Sequence, residues 1–179
     1  MPMPLLIRPS TQADANAIGS MAAEFQAYLR ALGDRTPFDW GASKYLRDGF
    51  GDDPAFEGLV AETSSEVVGY LLYYFGYDTD RGQRLLHLVD LYVREAFRHR
   101  GIASALMKRV AEIGRSRGVE AMFWSVFGAN AAALRFYETL GAEPVHGLRF
   151  MSLAIGAESV QVTSKTNPIP GADPGQRSK

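Results

Sequence analysis

The amino-acid sequence predicts a mixed α/β domain: a single central sheet flanked by helices. Three observations carry that prediction. Short β-rich runs alternate with segments of helical period along residues 5–154. The run 67–75 is apolar on both faces, as in a strand covered from two sides. No linker-like stretch divides this region into halves. The domain is therefore assigned to residues 1–155. The polar remainder, 156–179, is rich in Pro, Gly and Ser and is expected to be a poorly ordered tail.

Each element has its own reason. Residues 5–8 read as a strand that Pro9 ends, and Ser10 or Thr11 can cap the helix that follows, with Asp14 in its first turn. Ile18, Met21, Phe25, Tyr28 and Leu29 then recur at helical spacing, and Gly19 is a point where that helix could break. Gly33, Pro37 and Gly41 mark a loop before a short helix at 42–48. Residues 56–62 and 67–75 read as a hairpin turning at Thr63-Ser64-Ser65. In its second strand Val68, Leu72 and Tyr74 are assigned to one face, and Val67, Leu71 and Phe75 to the other. Residues 76–83 are a polar loop and 85–93 the next strand. The segment 101–117 is helical, with Ile102, Leu106, Val110 and Ile113 on one stripe and Gly118 as its cap. A strand at 121–126, a helix at 130–140 ended by Gly141, and one or two strands within 145–154, broken near Gly147, complete the order.

Composition removes several function classes. The 179 residues are 46% hydrophobic, enough for one buried core. A formal net charge of -1 gives no reason to expect nucleic acid or an anionic membrane as partner, since both select basic excess. With no Cys, disulfides, thiolate metal sites and a Cys nucleophile are excluded. His87, His99 and His146 lack metal spacing such as H-E-x-x-H, so no metal is expected. The longest apolar run, 67–77, is roughly half of a membrane span. The opening Met1-Pro2-Met3-Pro4 has no signal-peptide pattern, which leaves a cytoplasmic location as the expectation.

The chemistry lies where strand 85–93 leads through a loop with three arginines into a helix at Gly101. A helix start offers unpaired amides and partial positive charge, so an anion there accepts several hydrogen bonds at once. Gly101 removes the Cβ that would hold the anion off, Ala103 and Ser104 stay small, and Arg98 and Arg100 add charge. The dinucleotide fingerprint G-x-G-x-x-G and the nucleotide loop G-x-x-x-x-G-K-S/T are both absent. An ordinary strand-to-helix connection with solvated arginines is the other reading of this turn.

The run Arg98-His99-Arg100-Gly101-Ile102-Ala103 matches R/Q-x-x-G-x-G/A. Asn130, Ala133, Phe136, Tyr137, Leu140 and Gly141 match N-x-x-A-x-x-F-Y-x-x-L-G. In both motifs, in the order of elements over most of the chain, and in Ile7-Arg8-Pro9 with Asp14, the sequence resembles the GNAT acetyltransferase superfamily. The resemblance implies a GNAT-like acyl-CoA N-acyltransferase fold with acetyl-CoA as cosubstrate. It implies that Arg98, His99, Arg100, Gly101, Ile102, Ala103 and Ser104 hold the pyrophosphate, and that Leu91, Tyr92 and Val93 pair with the pantetheine arm like an added strand. Asn130, Ala133 and Phe136 complete the cofactor side. It further implies an oxyanion donor among the backbone amides near Val93 and, by habit of the family, a homodimer.

Amine acetylation needs a free amine, and an ammonium like that of Lys is deprotonated in only about one part in a few thousand at neutral pH. Asp90 is the candidate base or amine-binding acid; strand alternation gives it the same face as Leu88 and Tyr92 and sets His87 opposite. A salt bridge to one of the arginines is its other reading. Tyr137 is the candidate proton donor to the leaving thiolate, by the resemblance; a core aromatic beside Phe136 suits the spacing equally. Glu24 and Tyr28, four apart on one helix face, are the candidate acceptor-binding pair within a segment that also holds Asp34, Asp39, Trp40 and Asp48. The acceptor expected is a small cationic amine, as in the diamine and polyamine branch, although Val89 stands where that branch often carries a second acid. Protein or peptide N-acetylation, and acyl-CoA binding without turnover, are the alternatives.

Overall fold

The computed structural model describes residues 4–64, 66–147, 149–153 and 155. Its elements are β1 (Leu6–Pro9), α1 (Ala15–Ala31), α2 (Ala42–Gly49), β2 (Glu57–Glu62), β3 (Val67–Asp78), β4 (Gln83–Val93), α3 (Ile102–Ser116), β5 (Val119–Phe123) and α4 (Ala131–Thr139). Single 3-10 turns at Gln12–Asp14 and Glu95–Phe97 lead into α1 and the α3 turn. The sheet runs β1-β2-β3-β4-β5, antiparallel except for the parallel pair β4 and β5. The expected mixed sheet between helices is present.

Two apolar layers sandwich that sheet. On one face Leu59, Ala61, Leu71, Leu86 and Val93 pack with Ile102, Leu106, Met107 and Val110 of α3. On the other, Val60, Tyr70, Leu72 and Tyr92 pack with Ala15, Ile18 and Met21 of α1 and Tyr45 of α2. Fully burying each large side chain contributes about 1.5–3 kcal/mol, so both stripes hold their helices firmly. The entry to α1 is stapled. Arg8 donates from two nitrogens to the two Asp14 oxygens, both at 2.8 Å, and the Thr11 amide donates to Asp14 at 2.7 Å. Burial pulls the Asp14 carboxyl upward, but the bonds from Arg8 and Thr11 outweigh it and hold the group below its usual range. Gly19 does not break α1. A Cβ there would lie 2.8 Å from the Ala42 nitrogen, so the glycine lets α2 begin against α1.

Two bulges correct the expected alternation. Between β2 and β3 the register steps from Ala61↔Gly69 to Glu62↔Val67 and leaves Val68 without a partner. Between β3 and β4 it steps from Leu72↔Asp90 to Tyr73↔Leu88 and leaves Val89 without one. One inserted residue turns the side chains beyond it to the opposite face. Val68 therefore packs with Leu71 in the α3 layer, while Val67 packs with Leu72 in the α1 layer. By the same shift Asp90 shares a face with Tyr92 but not with Leu88, which belongs to the α3 layer.

The β5 strand is shorter than the expected 121–126, and its ladder with β4 ends at His87↔Phe123. The described residues divide at Ala142 and Glu143 into two units. Of the second, no described residue is in a strand, against the expectation for 145–154. Alternation makes a strand only where a neighbouring backbone completes a ladder, and here Val145, Phe150, Met151 and Leu153 remain exposed. The tail expected at 156–179, and Ser65 of the β2–β3 turn, lie outside the described residues.

Candidate active site

The early end of the β4–β5 ladder opens the sheet. Among the described residues, only β3 pairs with β4 from Leu88 to Val93, and the other edge of β4 has no strand partner there. A cleft of about 480 Å³ lies along it, lined by Leu91, Tyr92 and Val93, by 97–104 except Arg100, by Asn130, Ala132, Ala133, Phe136 and Tyr137, and by Phe25 and Tyr28 of α1. Of the residues expected on the cofactor, all but Arg100 line this space; the Arg100 guanidinium lies over the Phe97 ring, 5.4 Å from its centroid.

The turn at one end presents main-chain donors. His99 and Gly101 both have positive φ, 60° and 79°. Such left-handed residues within a turn point successive amides toward one concavity, a nest for an anion. The first helical bond of α3 runs from the Ala105 amide to the Gly101 carbonyl at 2.9 Å. Among the described residues, no acceptor engages the amides of 99–104. Arg98 frames the turn, its Nε donating to the Val93 carbonyl at 3.0 Å. A pyrophosphate fits this geometry, since it supplies the oxygens that these donors lack.

Asp90 is not among the residues that line the cleft; it accepts a hydrogen bond from the Tyr70 hydroxyl at 2.7 Å. Among the described residues it forms no ion pair, so no arginine answers its charge. Crowding by protein raises the Asp90 carboxyl to about 6, with the Tyr70 bond opposing part of the rise. Tyr137 on α4 packs 4.9 Å from Trp124 and 5.2 Å from Phe136 between ring centroids. Burial first, and the nearby Asp90 charge second, push its phenol up to about 12. The two groups thus sense each other across the site. Tyr70 is fully buried, and burial with the Asp90 charge keeps its hydroxyl protonated. Sequence reasoning missed Tyr70, because the pairing of β3 with β4 is invisible until the strands are in register.

The candidate acceptor pair separates. Tyr28 lies in the cleft, and its hydroxyl donates to Asn130 Oδ1 at 3.0 Å. Glu24 stands behind Tyr92, accepting from its hydroxyl at 3.3 Å and facing Arg94 Nε at 3.4 Å. The other acids of that segment largely meet neighbours: Asp39 with Lys44 at 2.6 Å and Asp48 with Arg47 at 2.7 Å. Trp40 packs into the α1 layer against Tyr45, Phe56 and Tyr70. His87 stacks on Tyr74 at 4.8 Å, and the bulge at Val89 brings it to the same face as Asp90, contrary to a regular strand. Burial lowers the His87 imidazole, keeping it neutral at pH 7. Among the described residues no three His, Cys, Asp or Glu side chains cluster as metal ligands, and no helix is long and apolar enough to cross a membrane.

Comparison with known proteins agrees with this geometry. Residues 23–142 match the family model described as "Acetyltransferase (GNAT) family". The thialysine N-epsilon-acetyltransferase of Sus scrofa is 36% identical over 160 residues, covering 82% of this chain and 92% of that protein. The spermidine/spermine N(1)-acetyltransferase-like protein 1 of Homo sapiens is 36% identical over 108 residues, 56% of this chain and 15% of that one. A solved structure, a tetramutant of the BH1408 protein from Bacillus halodurans, superposes with a TM-score of 0.70 at 21% identity, covering 84% of this chain and 99% of the other.

Proposed function

The chain belongs to the GNAT acetyltransferase family, and on that premise we propose that it moves an acetyl group from acetyl-CoA to the primary amine of a small cationic acceptor of the diamine or polyamine kind. The names of its thialysine and spermidine/spermine relatives support the acceptor class. The observation that carries the reading is one cleft that joins a turn with unengaged amides to the Tyr137 phenol, with the Asp90 carboxyl near enough behind that lining for its charge to act on the phenol. Acetyl-CoA supplies an acetyl group activated as a thioester. The amides of 99–104 would hold its pyrophosphate, and the edge of β4 away from β3, at Leu91, Tyr92 and Val93, would pair with its pantetheine arm. Because acetyl-CoA is available in the cytoplasm, we place the enzyme there as part of the same proposal.

The acid and the phenol divide the proton work between them. An acceptor ammonium near 10.4 stands about four units above Asp90, so prior proton removal by Asp90 would cost about 6 kcal/mol. The attacking nitrogen becomes far more acidic as its bond to carbon forms. The acceptor therefore gives its first proton to solvent and attacks as the free amine; Asp90 draws the cationic acceptor in by charge and takes the second proton, which the nitrogen releases as its bond to carbon forms. Tyr137, held protonated by burial and by Asp90, gives its proton to the departing sulfur. Thiol release from acetyl-CoA, measured over diamines, lysine-like amino acids and peptides, tests the proposal. Turnover of short cationic amines is the expected result; turnover of peptides alone, or of nothing, overturns it.

A further inference from the structure

The helix that carries Tyr137 is lightly held. Within α4 only Ala133, Phe136 and Tyr137 are half-buried and none is fully so, and among the described residues no salt bridge reaches it. Its N-cap is different. Asn130 is 7% exposed, and its Oδ1 accepts two hydrogen bonds, from the Ala133 amide at 3.1 Å and from the Tyr28 hydroxyl at 3.0 Å. The second comes from α1. Among the described residues it is the one side-chain hydrogen bond that ties 130–139 to another element.

Tyr28 also reaches the opposite wall. The Arg98 guanidinium lies over its ring, 5.0 Å from the centroid, and 5.5 Å from that of Tyr92. One aromatic side chain thus touches both the phosphate turn, through Arg98, and the start of α4, through Asn130. With Oδ1 accepting from the Ala133 amide, the Asn130 amide cannot flip without setting its NH₂ against that donor, and the Tyr28 hydroxyl takes the donor role toward Oδ1. Its Nδ2 is then held in a fixed direction at the cleft lining.

We propose that Tyr28 is a positioning residue for acetyl transfer. Its hydroxyl holds Asn130, and with it the N-terminal end of α4, in register with the phosphate turn, so that Tyr137 meets the departing sulfur. This rests on the reading of the cleft as the acetyl-CoA site and of Tyr137 as the proton donor. Unlike an acceptor-binding role, it assigns Tyr28 to turnover and not to recognition of the amine.

The test uses Tyr28→Phe in the full chain, which keeps the ring under Arg98 and removes only the hydroxyl. The expected result is a fall of about tenfold in kcat, the scale of one hydrogen bond. The acceptor KM and the acetyl-CoA Kd, by calorimetry, stay within about threefold. Asn130→Ser keeps a helix cap but is too short to reach Tyr28. In that background Tyr28→Phe should add nothing further. In Asn130→Asp, which keeps both acceptor contacts, it should still cost about tenfold. Unchanged kcat in Tyr28→Phe, an effect confined to the acceptor KM, or full multiplication with Asn130→Ser would overturn the proposal. Failure of the underlying reading looks different: the unaltered enzyme would not bind acetyl-CoA, or Tyr137→Phe would turn over normally.

Discussion

The phosphate turn and the surroundings of Asp90 are made of different material. At the turn the donors are main-chain amides of one continuous segment, residues 99–104, set by two positive φ angles. Around Asp90 the working groups are side chains from β3, β4 and α4, joined by a 2.7 Å hydrogen bond and by charge. A site of amides tolerates changes of side chain as long as the backbone keeps its shape. A site of side chains tolerates little change of chemistry, and its pKa values depend on packing by distant elements. The first should respond to backbone conformation in affinity, the second to single functional groups in rate and pH dependence.

The sharpest way to break that contrast is Tyr137→Phe. Turnover should fall by roughly 10²–10⁴ with acetyl-CoA affinity nearly unchanged. Normal kcat, in single-turnover experiments where chemistry limits, would return Tyr137 to a packing role beside Trp124. Asp90→Asn should lower kcat by about 10²-fold. It should also abolish the acid limb of the pH profile, which in the unaltered enzyme rises through about pH 6 as the carboxyl ionises. A limb that persists in the variant would move the titration to another group.

At the turn Gly101→Val should weaken acetyl-CoA binding about tenfold. A left-handed φ of 79° costs a residue with a Cβ roughly 1–2 kcal/mol, so the turn relaxes and binding must restore it. Affinity equal to that of the unaltered enzyme, by calorimetry on folded protein, would place the diphosphate elsewhere. The smallest effect belongs to Tyr70→Phe. The Tyr70 bond lowers the Asp90 pKa, so its loss should move the acid limb upward by about one unit. A profile that stays put would show that Tyr70 does not face the ionised carboxylate during catalysis.

The contrast also explains what could be read early. The phosphate turn is local, and Gly101, Arg98 and the small residues after it stand together in the chain. Elements α1, α3 and α4 follow from their apolar period and caps. The face of Asp90 was harder. Asp90 shares its face with Tyr92 and not with Leu88, because Val89 is a bulge that depends on the partner strand. Glu24 and Tyr28 looked like one pair at helical spacing, yet one meets Arg94 and the other Asn130. Those partners lie 70 and 102 residues away, beyond the range of any periodicity.

By itself the sequence determined the order of helices and strands, the two-sided apolar pattern of the sheet, and the glycine turn, since each depends on neighbours within a few residues. Only the tertiary structure decided the registers of β2, β3 and β4, the Tyr70–Asp90–Tyr137 couple and the link from Tyr28 to Asn130. A strand register is a choice among pairings of similar local propensity, settled by burial over the whole sheet. The side chains around Asp90 become neighbours only after that choice is made.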